Sequence, residues 1–117
     1  MLLSGGLDSA VLAAQEARTH VVHPVYVAAG LAWEAGEQRS IEALLAGPPF
    51  TNGPNRVLPL VRLECSMHDV YLPNHWALRG TPPAYDTPDE DVYLHGRNVA
   101  LLSKAAVYAA TQRISRL

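Results

Sequence analysis

One cysteine, one lysine and one phenylalanine occur in the 117 residues of this chain. The single cysteine, Cys65, excludes an intrachain disulfide and suits a reducing compartment. Lys104 is the only lysine beside the arginines, and the formal net charge is −2. That balance argues against a nucleic-acid partner, because such affinity rests on many cationic contacts to phosphates. No apolar run approaches the roughly 20 residues that span a bilayer. The first residues also lack the basic start and unbroken apolar stretch of a signal peptide. A cytoplasmic protein without a membrane partner is the expectation. The length allows one domain, residues 1–117, and an apolar share of 49 % can supply its core.

What is present alternates. Met1 to Leu3 reads as the end of a strand, and SAVLAAQEAR (9–18) as a helix with apolar residues at Val11, Leu12 and Ala14. The Val- and Tyr-rich HVVHPVYVAAG (20–30) reads as a buried strand, with Pro24 near its beginning. EAGEQRSIEALL (34–45) sets Ile41, Leu44 and Leu45 on one helical face, and Gly47-Pro48-Pro49 stops it. RVLPLVRLEC (56–65) reads as a third strand interrupted by Pro59, and residues 73–91 as a long irregular loop ending in the acidic DTPDED. A last helix runs from Val99 to Ala110 with Asn98 as its N-cap. Being apolar on nearly every side, it should be buried on nearly every side. ISRL (114–117) reads as the start of a further strand. The β-α-β-α-β-loop-α-β order predicts an α/β fold, a three-layer parallel sheet with helices on both faces, apparently clipped at both ends.

The opening stretch LLSGGLDSAVL (2–12) carries the chemistry. A turn after the first strand of such a sheet lies at the carboxyl end, where ligands bind. Adjacent glycines let a ligand reach the backbone amides, and the helix that follows offers unpaired N–H groups and the positive end of its dipole. Ser4 and Ser9 add hydroxyls. Asp8 is open between a helix cap and a magnesium ligand. An ordinary strand-to-helix corner, with Asp8 or Ser9 as N-cap, is the alternative. Neither the G-x-x-x-x-G-K-[ST] loop nor the G-x-G-x-x-G fingerprint is present.

What the stretch does contain is S-G-G-x-D-S at 4–9, which resembles the PP-loop of the ATP pyrophosphatases. The segment YLHGRNVALLSKAAVYA (93–109) resembles the G-R-N segment and following apolar helix of the 7-cyano-7-deazaguanine synthases within that superfamily. The resemblance spans Leu3 to Tyr108 and is tight in those two stretches. It implies a Rossmann-like fold of the adenosine nucleotide α-hydrolase type. It also implies an ATP-dependent ligase that adenylates a carboxylate, 7-carboxy-7-deazaguanine in that family, before ammonia gives the amide and then the nitrile on the way to queuosine. Carried onto this chain, it places Leu3, Ser4, Gly5, Gly6, Leu7, Asp8, Ser9 and Ala10 around ATP, with Gly96, Arg97 and Asn98 facing the same cleft. Ser4, Asp8, Ser9 and Arg97 are the catalytic candidates, and ATP and Mg²⁺ the implied ligands. The backbone near Val25 to Val27 would face the adenine. An arginine fork beside a helix start is physically suited to phosphate or carboxylate, though G-R-N alone also reads as a cap with a surface arginine.

Three departures from the family are visible. Ala28 and Ala29 stand where an acidic and aromatic D-Y-G-Q-type run is usual, with Trp33 and Glu34 as candidate substitutes. His95 replaces a proline. The family's C-terminal zinc-binding cysteine cluster has no counterpart in this chain. A PP-loop enzyme acting on a tRNA base or another acid, and a nucleotide-binding module without activity, are the rival readings. A homodimer is left open. Cys65, His68 and His75 match no structural zinc pattern, and no metal ligand set is read from the sequence. His20 and His23 read as structural, and DTPDED as a solvated acidic loop rather than a magnesium site. LPNHWALRG (72–80) either closes over a substrate through Asn74, His75, Trp76 and Arg79 or forms a disordered lid anchored by Trp76.

Overall fold

The computed structural model describes residues 1–52 and 56–116, the side chains of Asp89 and Asp91 excepted. Its centre is a β-α-β unit. Strand β1, Val25–Ala28, and strand β2, Val61–Glu64, pair in parallel with Val25 opposite Val61 and Ala28 opposite Glu64. Helix α2, Glu34–Leu45, lies in the crossover between them, as parallel pairing requires. All four β1 residues are buried, whereas β2 alternates half-buried Val61 and Leu63 with exposed Arg62 and Glu64. Prolines set where the ladder begins. The Pro24 carbonyl accepts the first bond, from the Val61 N–H at 2.9 Å, and Pro59 cannot donate just upstream of β2.

Around this pair the sheet thins out. Leu2 makes one parallel bridge to Val25, held by Leu3 N–H to Val25 O and Val25 N–H to Met1 O, both 2.9 Å. Val22 bridges Val57 in the same way. The three-layer, Rossmann-like parallel sheet of the adenosine nucleotide α-hydrolase type is therefore corrected. Among the described residues the sheet has two strands, with isolated bridges at Leu2–Val25 and Val22–Val57.

The far end of the chain shows why no strand forms there. Helix α5, Arg97–Thr111, closes on a left-handed residue, Arg113 (φ 55°). The Ile114 N–H reaches back to Ala109 O at 2.8 Å and the Arg113 N–H to Ala110 O at 3.2 Å, a Schellman closure. Arg113 and Ile114 are used by that closure, and Ile114 to Arg116 make no ladder; Leu117 lies outside the described residues. A side chain at a left-handed position costs about 1 kcal/mol relative to glycine. Arg113→Gly is thus expected to raise stability by roughly 0.5–1 kcal/mol in urea denaturation, less the entropy a glycine adds to the unfolded chain.

Two further sequence expectations change. The N-cap of α5 is Gly96, left-handed at φ 72°, so Asn98 is already inside the helix. Only Ala105 and Ala109 of α5 are buried, because a sheet this narrow covers one helical face. Residues 73–91 are not wholly irregular. They hold two single-turn helices, α3 (Trp76–Arg79) and α4 (Asp89–Val92). The acidic run they end in has side chains, at 89 and 91, outside the described residues.

The core forms two clusters. Leu3, Ala13, Tyr26, Ala28, Ile41 and Phe50 pack beneath helix α1 (Leu7–Glu16) and α2. Ala29, Leu31, Met67, Tyr71 and Ala77 pack beyond the carboxyl ends of the strands, joined by Trp33, Trp76 and the first turns of α5. No helix among the described residues is long and apolar enough to cross a membrane.

Candidate functional site

The Ser4-Gly5-Gly6 turn leads from buried Leu3 straight into α1 and is pressed against α2. At Gly5 (φ 79°), a Cβ would lie 2.9 Å from the Glu37 carbonyl oxygen and 3.3 Å from Ile41 Cγ1. Only glycine fits both that conformation and that space. Gly6 is extended and open, with Ser4 Oγ alone near its missing Cβ, at 3.5 Å. It is also the N-cap of α1, contributing no side-chain bond, so neither Asp8 nor Ser9 caps the helix.

The first intrahelical bond runs from Ala10 N–H to Gly6 O at 3.1 Å. The amides of Leu7, Asp8 and Ser9 therefore have no acceptor within the helix. Two hydroxyls stand beside them: Ser4 Oγ and Ser9 Oγ are 3.2 Å apart, and Ser9 Oγ donates to Gly6 O at 2.9 Å. Ser4 Oγ also accepts from the Gly6 N–H at 3.4 Å. Asp8 is exposed in the first turn of α1, Leu7 is exposed, and Ala10 is half-buried. Leu3 to Ala10 thus converge on one turn, rich in donors.

Next to it runs the edge of β1. Cys65 N–H donates to Ala28 O at 2.7 Å, so by the two-residue alternation Tyr26 and Ala28 turn their backbone toward β2. Val25 and Val27 turn theirs toward the N-terminal segment. Val25 spends both groups on Met1 and Leu3, whereas the N–H and C=O of Val27 have no partner among the described residues.

Gly96, Arg97 and Asn98 open α5 beside the second core cluster. Arg97 lies near Tyr71, whose phenol is raised by burial and partly lowered by that guanidinium. Its Nε is buried without a partner, and Tyr71 donates to the His95 carbonyl at 3.2 Å. No hydrogen bond, ion pair or ring contact joins these three residues to the Ser4–Ser9 turn among the described residues. The structure gathers the first group of candidates on one turn, and among the described residues no direct bond links the second group to it.

The residues proposed to replace family contacts have structural partners. Glu34 is buried, and its carboxylate accepts from Ala29 N–H at 2.5 Å and Gly30 N–H at 3.3 Å, tying α2 to the end of β1. Trp33 stacks on Trp76, centroids 5.5 Å apart, so one of its faces is taken. The 72–80 segment is packed as well: Ala77 is buried, and its carbonyl accepts from Ala32 N–H at 2.9 Å. His68 binds the Gly30 carbonyl at 2.9 Å and His75 caps α3 through Ala77 N–H at 3.2 Å. Among the described residues no three ligating side chains come together.

The sequence reading did not single out the pair beneath the turn. Tyr26 donates to Glu37 Oε2 at 2.8 Å, and the same Glu37 carbonyl crowds Gly5. A tyrosine inside an apolar strand, followed by an acid one turn into the next helix, was the available signal. Burial first, and then the Glu37 bond and charge, push the Tyr26 phenol well above its ordinary range. The unfolded chain releases that proton near pH 10, before the folded one does. This contribution to stability is whole below pH 10 and declines as pH rises beyond it. Urea midpoints between about pH 9 and 11 should fall in the wild type and fall less steeply in Tyr26→Phe.

No protein-family model, curated protein or solved structure matches this chain.

Proposed function

We propose that the chain binds ATP on the Ser4–Ser9 turn and transfers AMP to a carboxylic acid, as an ATP-dependent ligase resembling the 7-cyano-7-deazaguanine synthases. The observation that supports this most is the turn itself: two glycines, three amides free of helical acceptors and two hydroxyls 3.2 Å apart, at the start of a ten-residue helix. Such a constellation suits a pyrophosphate group. The unpaired N–H and C=O of Val27 supply a donor–acceptor edge of the kind an adenine ring reads.

In the proposed reaction a carboxylate oxygen attacks the α-phosphorus, the bond to the bridging oxygen of the β-phosphate breaks, and pyrophosphate leaves. No general base is needed, since the nucleophile is already an anion. Ammonia then displaces AMP from the acyl carbon and gives up a proton, leaving the amide. The turn's amides and hydroxyls stabilise charge on the departing pyrophosphate, which is the main catalytic device. Asp8 is the one carboxylate in the first turn of α1. It fits a magnesium ion held chiefly by the phosphates, and that ion would neutralise phosphate charge. The acid of the resembled family is 7-carboxy-7-deazaguanine.

A nucleotide-binding module without activity is the second reading, since among the described residues Arg97 makes no bond to the turn. Calorimetric titration with ATP and magnesium, followed by pyrophosphate release with candidate acids, separates the two. Ser4→Ala with Ser9→Ala is expected to weaken ATP binding about 10- to 100-fold, from two lost bonds to a charged ligand. Unchanged affinity would remove the turn from the site. Binding without pyrophosphate release from any acid would leave the module reading.

A further inference from the structure

We infer that Tyr26 is a positioning residue for ATP: by its bond to Glu37 it holds the first turn of α2 against Gly5 and so fixes the amides of Leu7 to Ser9. This role rests on the ATP reading of the turn. Tyr26 is the second residue of β1 and only 3 % exposed, and its hydroxyl donates to Glu37 Oε2 at 2.8 Å. Glu37 belongs to the first turn of α2. Its own carbonyl oxygen is the atom nearest to where a Gly5 Cβ would stand, at 2.9 Å. Glu37 therefore meets the strand with its side chain and backs the turn with its main chain.

Successive residues of β1 meet the site in different ways. Val25 fixes the entry to the turn, its carbonyl accepting from the Leu3 N–H and its N–H donating to Met1 O. Tyr26 fixes the back of the turn through Glu37. Val27 leaves its N–H and C=O without a partner among the described residues. The attachment of α2 is doubled at the position opposite Tyr26 in β2: Arg62 donates to the side-chain oxygen of Gln38, next to Glu37. Neighbouring residues of one helical turn are thus tied to one paired position of the sheet. Without the Tyr26 hydroxyl, Glu37 loses its tie to β1 and α2 can draw back from Gly5. The amides of Leu7 to Ser9 then lose the wall that limits their movement, and a binding site held less closely binds less well.

Calorimetric titration of the whole chain with ATP and magnesium reads this in a double-mutant cycle. Tyr26→Phe and Glu37→Ala should each weaken ATP binding about tenfold. The double variant should bind no worse than the weaker of the two, because both remove the same tie. Glu37→Gln keeps an acceptor for the hydroxyl and should stay within about twofold of the wild type. Met67→Ala, in the second core cluster, controls for general loosening: it should lower the urea midpoint and leave ATP affinity unchanged. If Tyr26→Phe disturbs the fold, half-buried Glu37 gives the reading through its alanine and glutamine variants. ATP binding that Tyr26→Phe and Glu37→Ala leave unchanged overturns the role of Tyr26 and spares the ATP reading. So do additive losses in the double variant, or an equal loss in Met67→Ala. A wild type that binds no ATP removes both.

Discussion

Gly5→Ala is expected to lower stability by about 2–4 kcal/mol, the sum of a left-handed alanine and an overpacked contact. The contact does not yield readily. The atom facing the new methyl is a backbone oxygen of α2, Glu37 O at 2.9 Å, with the Ser40 and Ile41 side chains behind it. Relief requires α2 or the turn to move. Moving the turn displaces the amides of Leu7 to Ser9, so under the proposed ATP-binding role the affinity for ATP is expected to fall at least tenfold, about 1.4 kcal/mol. Urea denaturation and calorimetric titration on the same preparation measure both. Gly6→Ala is the internal control, because its Cβ would meet only Ser4 Oγ at an ordinary distance. Equal stability losses at the two glycines would contradict the close fit of Gly5 against α2.

Glu34→Ala should have an effect of similar size, about 2–4 kcal/mol, by a different route. The Glu34 carboxylate is buried and accepts from two successive amides where β1 ends. Alanine would leave the buried Ala29 N–H without an acceptor and remove a charge-assisted bond, which costs more than a neutral one. Glu34→Gln keeps one acceptor oxygen and should recover about half of the loss. Thermal denaturation of the three proteins orders them. If Glu34→Ala were as stable as the wild type, the two amides would have found other partners.

The sequence made some of this structure legible, for identifiable reasons. Helix α2 has the bounds read from its pattern, because an apolar face and a Gly-Pro-Pro stop agree on them. The opening turn was readable as a turn, since paired glycines between an apolar residue and a helix leave few conformations, but the helix runs Leu7–Glu16 and not 9–18 as its pattern suggested. The sheet was not legible. Val- and Tyr-rich runs mark extended chain, but Pro24 and Pro59 stand where a ladder of only four residues on each strand begins, and residue counts alone do not reveal that length. Burial of α5 was overread because apolar composition says what a helix can cover, not what is there to cover it. Single-turn α3 and α4 are too short for any periodicity to register. Glu34 was read as facing a ligand, because an acid next to a candidate cleft looks the same in sequence whether it meets a substrate or a backbone amide.

The stacked indoles give the molecule an optical handle. Trp33 and Trp76 are the only two tryptophans in the chain, and their rings lie 5.5 Å apart with planes inclined by 18°. One belongs to the stretch between β1 and α2, the other to α3. At that separation their intense far-ultraviolet transitions couple, so the pair adds an exciton contribution to the dichroism that neither ring gives alone. The signal exists only while α3 is docked on the 31–33 stretch. Undocking of that one turn can therefore be followed by light alone, apart from the unfolding of the β-α-β centre, with no label introduced.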